Sequence, residues 1–358
     1  MKNKRWILWL VVAIALVVLV LVARQKIHFD WAIFIQQLKL ADWRDIGIGV
    51  ALIWFGYVIR AVRWSLFLKP VRKVSPLGLF GTQVIGFTGV ALLGRPADLV
   101  RPYLVSKRLQ VPLSSQVAVY VVERMFDAGA MALIFSTAMI TAPHDASLPH
   151  PELLRRIAFG GLAGTAALAA LAIMVRLSGK AVAAVAEKVL GALSENLGKS
   201  VGAKIHAFRD GLDMLASLKD VGLALLYSLC MWAGITGAYL MTTRAFVDSP
   251  PLAAMNLPRC MVLMAASMLV STVQLPVIGW FTQIAALAAT MQQFFGVRVE
   301  PALGCASVLL AVTFLSVIPL GLIWARIEHV SLKKVSEESE HAGLEDLAQP
   351  QPAQETAT

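Results

Sequence analysis

Residues 117–141 read VAVYVVERMFDAGAMALIFSTAMIT, an apolar run that is interrupted by Glu123, Arg124 and Asp127. About 20 apolar residues cross the hydrocarbon core of a bilayer, so the length of this run predicts a transmembrane helix. A charge at bilayer depth costs on the order of 2.5 to 3.5 kcal/mol on insertion scales. Such side chains normally pair with one another, face a wet cavity or bind a ligand. The sequence therefore predicts that these three charges have a structural or functional partner inside the membrane.

The composition of the whole chain supports a membrane protein. Of its 358 residues, 58% are hydrophobic and only 15% are charged, whereas soluble domains carry about 25% charged residues. The mean hydropathy is +0.71. We predict an all-α, polytopic transmembrane bundle of about eight spans. Besides 117–141, the predicted spans are residues 6–23, 46–68, 157–175, 221–243, 260–275, 276–295 and 303–325.

One further segment, residues 77–93, reads LGLFGTQVIGFTGVALL and lies between Pro76 and Gly94. Its glycines favour a broken or re-entrant element near 77–94 over a full crossing. If this segment returns to the side it came from, the basic stretch from Arg95 to Arg108 lies in the cytoplasm, as the positive-inside rule expects. The same rule places both termini in the cytoplasm and the protein in the inner or plasma membrane.

Three regions are predicted along the chain. Residues 1–45 form an uncleaved anchor helix and an aromatic interfacial segment, and residues 46–326 form the transmembrane domain. Within that domain, residues 180–220 are either a basic amphipathic linker on the cytoplasmic face or a solvated helical hairpin between two bundles. Residues 327–358 end in a stretch rich in acidic residues, Pro, Gln and Ala, which predicts a disordered cytoplasmic tail.

Several kinds of chemistry have no support in the sequence. The net charge of +10 comes without a nucleic-acid motif, so orientation in the membrane and anionic lipid explain it better. Cys230, Cys260 and Cys305 have no Cys-x-x-Cys spacing, and the histidines show no metal-ligand spacing. We therefore expect no metal, no cofactor and no nucleic-acid partner.

The intramembrane charges allow two interpretations. Arg60 and Arg63 lie three residues apart near the end of the second span. In the structural interpretation, Glu123 or Asp127 neutralises one of these arginines and locks the bundle. In the functional interpretation, surplus arginines line a polar cavity for a phosphate-bearing headgroup, because a guanidinium offers paired donors to phosphate. The arginines of that second interpretation are Arg60, Arg63, Arg95 and Arg101.

A second interrupted segment supports the functional interpretation. Residues 271–283 read STVQLPVIGWFTQ and include Gln274, Pro276, Gly279 and Gln283 at membrane depth. Paired Gly/Pro-interrupted segments, one in each half of a chain, point to a transport site near the midplane. The alternative is a simple proline kink between two packed helices.

Three motifs carry a resemblance to a known family. They are Arg60-Ala-Val-Arg-Trp64, Asp98-Leu-Val-Arg101 and Val121-Val-Glu-Arg-Met-Phe-Asp127. In order and spacing they resemble the flippase-like family, also named for the transmembrane domain of lysylphosphatidylglycerol synthases. The resemblance implies a membrane domain that moves an aminoacylated, glycosylated or polyprenyl-linked lipid between leaflets, without a cofactor and without the aminoacyl-transferase domain of some relatives.

The chain departs from the pattern of that family at three places. Asp98 stands where the family usually has Glu, and no Asn occurs in the preceding segment. The late Gly-rich element reads Pro276-Val-Ile-Gly-Trp-Phe-Thr-Gln283, with Gln283 in place of an acid.

The main hypothesis is a non-enzymatic lipid translocase, or an accessory to translocation, whose partners are anionic or polyprenyl-linked lipids and a lipid-synthesis enzyme. One alternative is an integral-membrane transferase with Asp98 or Glu123 as base, and another is a membrane scaffold for a lipid-modifying enzyme. The predicted headgroup-binding residues are Arg60, Arg63, Arg95, Asp98, Arg101, Glu123, Arg124, Asp127, Gln274 and Gln283.

Overall fold

The regular structure of the chain is helical wherever the structure describes it, which confirms the predicted all-α fold. The computed structural model describes residues 30–70, 72–111, 113–143, 148–191, 194, 217–272, 278–332, 334–335 and 338–339. Within these residues, five helices are long and apolar enough to cross a membrane: Trp43–Leu68, Pro76–Leu93, Pro151–Leu171, Lys219–Arg244 and Val299–Ile327.

The helices follow one another in chain order. They are α1 (Trp31–Leu40), α2 (Trp43–Leu68), α3 (Pro76–Leu93), α4 (Val100–Leu109), α5 (Leu113–Ile140), α6 (Pro151–Gly191), α7 (Leu218–Arg244), α8 (Pro250–Ala253), α9 (Leu257–Ser271), α10 (Ile278–Phe295), α11 (Val299–Thr313) and α12 (Ile318–Ile327). Two short 3-10 turns, Arg95–Leu99 and Leu315–Val317, precede α4 and α12.

Helices α2 and α7 form the antiparallel centre of the bundle and define its two ends. At one end, which we call the Lys69 end, Lys69 Nζ lies 3.2 Å from Asp220 Oδ1. At the other end, which we call the Asp42 end, the backbone N–H of Asp42 donates to the carbonyl of Ala245 at 2.8 Å. The Asp42 side chain also accepts from Arg44 N, so it caps α2 where the helix begins.

Helices α3 and α4 form a hairpin that enters the bundle from the Lys69 end and returns to it. Gly94, with φ of 78°, makes the turn after α3, in a conformation that suits a residue without Cβ. On the way back, the side chain of Arg101 lies against Gly86. Near the end of α4, Arg72 Nη1 donates to the carbonyl of Leu109 at 3.1 Å. The structure therefore confirms the prediction that this segment returns to the side from which it enters.

The position of the break in this hairpin differs from the prediction. Helix α3 is continuous from Pro76 to Leu93, so the glycines of the segment do not interrupt it. Gly81, Gly86 and Gly89 are buried in the middle of the helix, where close packing against neighbouring elements offsets their low helix propensity. The break lies at Gly94 instead.

Helices α9 and α10 form a second hairpin, which enters from the Asp42 end. The Arg259 guanidinium near the start of α9 lies 5.7 Å from the Phe295 ring at the end of α10. With 15 residues, α9 rises only about 22 Å, less than the ~30 Å hydrocarbon core. The two segments thus lie side by side and antiparallel, as two successive crossings also would, and the expectation of full crossings at 260–275 and 276–295 stays a prediction.

The inner ends of the two hairpins meet. Trp280 Nε1, in the first turn of α10, donates to the carbonyl of Ala91 in the last turn of α3 at 3.0 Å. Hairpins from opposite ends of the bundle thus contact each other inside it.

Several predicted segments lie outside the described residues. They are the first span at 6–23 and residues 192–193 and 195–216 of the expected linker at 180–220. Helix α6 continues to Gly191, with one non-helical residue at Ser178. Disorder was expected from residue 327 onwards, but Glu328 and Glu338 contact residues of α4. For residues 340–358, which lie outside the described part, disorder stays a prediction.

Candidate functional site

Three helices bring six charged side chains together inside the bundle. Arg60 and Arg63 come from α2, Arg101 comes from the returning helix α4, and Glu123, Arg124 and Asp127 come from α5. We call these six residues the arginine cluster. All six are among the predicted site residues.

Arg63 is the centre of the arginine cluster. Its Nη2 lies 2.7 Å from Glu123 Oε1 and its Nη1 lies 2.6 Å from Asp127 Oδ1. Nη1 also donates to the Ser228 hydroxyl of α7. Since Glu123 and Asp127 are four residues apart, both carboxylates lie on one face of α5, and one guanidinium reaches both. The pairing expected by the structural interpretation is present.

Glu123 pairs with two other arginines as well, with Arg101 through a hydrogen bond and with Arg124 as an ion pair. Arg101 Nη1 lies 3.1 Å from Glu123 Oε2, and Arg124 Nη2 lies 3.2 Å from Oε1. Both carboxylate oxygens are thus occupied by guanidinium groups. Charge-assisted hydrogen bonds of this kind are about twice as strong as neutral ones.

Asp127 joins the remaining arginines. Its Oδ2 lies 2.8 Å from Arg124 Nη2, which belongs to the residue three positions earlier on the same helix. Arg60 Nη1 lies 3.7 Å from the same oxygen and 3.5 Å from Glu123 Oε1. Arg60 is the most loosely held of the four arginines.

The arginine cluster carries a formal charge of +2, because four guanidinium groups face two carboxylates. Five of the six side chains are at least nine-tenths buried, and the Arg124 side chain is 37% exposed. Arg124 is therefore the one member through which the cluster opens to its surroundings.

Aromatic rings and an amide surround Arg101. Its guanidinium carbon lies 4.5 Å from the Phe87 ring centroid and 5.2 Å from that of Trp64. Arg101 Nη1 donates to Gln83 Oε1 at 3.0 Å. In the described part of the chain, Gln83 Nε2 and Trp64 Nε1 are buried without a hydrogen-bond acceptor. These two unpaired groups next to Arg101 are both donors, which suit an anion.

Gln283 lies in a different polar group. Its Nε2 donates to the Ser267 hydroxyl at 2.8 Å, and the Tyr239 hydroxyl lies 2.9 Å from the same oxygen. These three residues link α7, α9 and α10 between the arms of the second hairpin. Gln283 Oε1 has no donor among the described residues. The structure does not bring Gln283 into the arginine cluster.

The remaining predicted site residues are Arg95, Asp98 and Gln274. Asp98 lies half-buried in the 3-10 turn before α4, where its carboxylate interacts electrostatically with Arg124 at the edge of the arginine cluster. The Arg95 side chain and all of Gln274 lie outside what the structure describes.

Sequence reasoning missed Gln83, Ser228, Ser267 and Tyr239. Each is a single polar residue in an apolar helix, and none of them carries a charge that would have set it apart. The polarity of Gln83 within residues 77–93 was the available signal.

The fold and the arginine cluster define a polytopic integral membrane protein with two inward hairpins and a buried, positively charged site. The chain belongs to the family described as the lysylphosphatidylglycerol synthase TM region, whose sequence model matches residues 7–321. This confirms the resemblance and marks the chain as a lipid-related membrane protein. No curated protein and no solved structure matches the chain.

Proposed function

We propose that this protein is a non-enzymatic lipid translocase, or an accessory to translocation, in the cell membrane, and that the arginine cluster receives the phosphate of an anionic or lipid-linked headgroup. Membrane lipids are then its partners. The observation that carries the proposal is the surplus of two positive charges among these six side chains at a buried position, which Asp98 beside Arg124 offsets only in part.

A buried charge without a counter-ion is costly. Desolvation of an ion still costs several kcal/mol after the protein relaxes, so a surplus of two charges favours an anion in the site. A phosphate on a lipid is available in every membrane. Guanidinium groups match its geometry with two parallel donors, and Arg124 is exposed enough to make the first contact.

The neighbouring donors fit the same ligand. Gln83 Nε2 and Trp64 Nε1 lack acceptors among the described residues, and both residues contact Arg101. A phosphate has several acceptor oxygens, whereas a cationic headgroup would bring only more donors. The headgroup that the cluster suits is therefore anionic.

The two hairpins suit movement between leaflets. They enter from opposite ends, and they meet where Trp280 donates to Ala91. Such opposed, interrupted elements are typical of transporters whose site is alternately open to each side. The first hairpin carries Arg101 directly into the cluster, so a shift of α4 would change the site.

The contacts of Glu123 support a role without covalent chemistry. A base must hold a free oxygen within hydrogen-bond reach of the proton that it takes. Both oxygens of Glu123 already contact guanidinium nitrogens. We therefore propose that Glu123 positions the arginines and does not act as a base.

A leaflet-resolved assay tests the proposal. The full chain is reconstituted into vesicles with fluorescent phosphatidylglycerol or a polyprenyl phosphate, and a membrane-impermeant quencher reports the outer leaflet. We expect transbilayer movement with the natural sequence, and its loss in Arg124→Ala. Arg44→Ala is the matched control, because Arg44 is exposed at the Asp42 end, outside the arginine cluster.

Two outcomes contradict the proposal. One is the absence of protein-dependent movement of any anionic or prenyl-linked lipid. The other is conversion of a lipid to a new product by the purified protein in detergent, where no second leaflet exists.

A further inference from the structure

A crevice at the Lys69 end lies on the outer side of the α2–α7 pair. Its volume is about 230 Å³, which is several times the ~30 Å³ that one water molecule occupies in the liquid. A phosphate group fits this space. Its walls are Val62, Leu66 and Lys69 of α2, with Lys73, Val74 and Tyr227.

The spacing of the α2 residues aligns the crevice with the membrane. Val62, Leu66 and Lys69 follow at intervals of four and three residues, so they share one face of the helix. The apolar pair lies deeper along α2, and Lys69 lies where the helix ends. An ammonium at the rim above apolar side chains is the arrangement that meets a phospholipid at the level of its headgroup.

The free polar groups of the crevice are hydrogen-bond donors. Lys69 gives one contact to Asp220, which leaves two N–H groups of its ammonium. Lys73 is exposed, and neither its ammonium nor the Tyr227 hydroxyl has a hydrogen-bond or ion-pair partner among the described residues. The Ser65 hydroxyl donates to the carbonyl of Val62 at 2.7 Å, so its proton is already used. A set of free donors that includes the unpaired ammonium of Lys73 recognises an anion.

The crevice is separate from the arginine cluster. Val62 precedes Arg63 and Tyr227 precedes Ser228, but Arg63 and Ser228 contact each other on the inner side of the α2–α7 pair. Arg63 is only 1% exposed, so the packed helices separate the two sites.

We infer that this crevice binds the phosphate of an anionic phospholipid from the surrounding leaflet. Lys69, Lys73 and Tyr227 donate to the phosphate, and Val62 and Leu66 lie against the acyl chain of the lipid. Each lysine near anionic lipid contributes about 1 kcal/mol, which corresponds to about fivefold in affinity. The bound lipid joins α2, α7 and the segment before α3, and so stabilises the Lys69 end.

Native mass spectrometry of the full chain in detergent tests this inference. Phosphatidylglycerol is titrated against phosphatidylcholine, and the retained lipid is counted. We expect about fivefold weaker retention of phosphatidylglycerol in Lys73→Gln and a further loss in Lys69→Gln/Lys73→Gln. Lys39→Gln is the matched control, because Lys39 is also exposed and lies at the opposite end of the bundle. Equal retention in the control and in both crevice variants would overturn the inference.

Two further experiments distinguish a bound lipid from free phosphate, and the crevice from the arginine cluster. Inorganic phosphate is added to the natural sequence; if it displaces the lipid at equal concentration, the ligand is free phosphate and the lipid assignment is wrong. Arg124→Ala is expected to retain the crevice lipid even if it abolishes translocation. Loss of that lipid in Arg124→Ala, with the fold intact by circular dichroism, would show one shared site and contradict a separate crevice.

Discussion

Arg63 makes the shortest contact between α2 and the Glu123 carboxylate, because its Nη2 lies 2.7 Å from Oε1 of Glu123. Both side chains are only 1% exposed. The same carboxylate also holds Arg101 and Arg124. Glu123 is therefore the carboxylate that contacts all four arginines, whereas Asp127 contacts three.

We predict that Glu123→Gln strongly destabilises the protein. The substitution leaves four guanidinium groups facing Asp127 alone, and removing one partner of a buried ion pair costs about 3 to 5 kcal/mol. Thermal unfolding in detergent, followed by tryptophan fluorescence, measures the change.

Glu328→Gln is the control for that substitution. Glu328 pairs with Arg108 at 3.0 Å, but the Arg108 side chain is 45% exposed, and exposed pairs contribute about 0 to 1 kcal/mol. If Glu123→Gln unfolds at the same temperature as Glu328→Gln, the arginine cluster is not held by its carboxylates.

A second prediction concerns the contact between Gly86 and Arg101. A Cβ at Gly86 would overlap the Cγ of Arg101, so Gly86→Ala must push Arg101 away from Glu123. Overpacking of a buried position costs about 1 to 3 kcal/mol. We expect a lower unfolding temperature and, in the leaflet assay, slower lipid movement.

Gly78 offers a matched control in the same helix, because nothing lies within 4 Å of a Cβ built there. Gly78→Ala is expected to be neutral or stabilising by up to about 1 kcal/mol, since alanine favours helix. Equal effects of the two substitutions would contradict close packing between α3 and Arg101.

Much of the fold was predictable because its signals are local. Apolar length predicted α2, α5 and α7 within a few residues, whereas α6 runs to Gly191, well beyond the predicted end at residue 175. The glycines near Gly94 predicted the return of α3 and α4. The apolar residues of α9 and α10 are continuous with those of a full span, so the sequence alone does not show how deep this hairpin enters the bundle. That depth depends on tertiary contacts such as the one between Trp280 and Ala91.

For the candidate site, too, local signals were predictable from the sequence and tertiary contacts were not. Charges in an apolar run are visible in the sequence, so the sequence alone identifies Arg60, Arg63, Glu123, Arg124 and Asp127 as candidates. Their mutual arrangement depends on helix packing. The separation of Gln283 from the cluster depends on which hairpin carries it, and no spacing rule contains that information.

A third prediction concerns the hydrogen bond that joins the hairpins. Trp280→Phe keeps an aromatic ring but removes the donor to Ala91, at a cost of about 1 kcal/mol. We expect faster hydrogen exchange in the last turn of α3, where the carbonyl of Ala91 loses its partner. Hydrogen exchange with mass spectrometry of peptides covering 87–94 measures it.

Trp31→Phe serves as the comparison for the hairpin contact, because Trp31 is 64% exposed and lies in α1. It is expected to leave exchange in α3 unchanged. Unaltered exchange in Trp280→Phe would mean that the inner ends of the hairpins are held by packing alone.

The last prediction concerns pH and the segment after α12. The Tyr103 hydroxyl donates to Glu338 Oε2 at 2.6 Å and Lys107 Nζ donates to it at 3.1 Å. These hydrogen bonds hold the pKa of Glu338 below its ordinary value of 4.5. Because the folded pKa is the lower one, the contact stabilises the docked segment fully above about pH 5.5 and is lost as the pH falls through the lowered pKa. A nitroxide at the exposed position 331, in a variant with Cys230→Ser, reports the docking of this segment. We expect it to gain mobility in electron paramagnetic resonance spectra only in that acidic range. Glu338→Gln should show the mobile spectrum at neutral pH already, since a neutral amide loses the charge-assisted bond to Lys107.

A spectrum that stays immobile in Glu338→Gln and at acidic pH would mean that the segment is held without the carboxylate. The packing of Val335 against Val90, Ala97 and Val100 would then hold it.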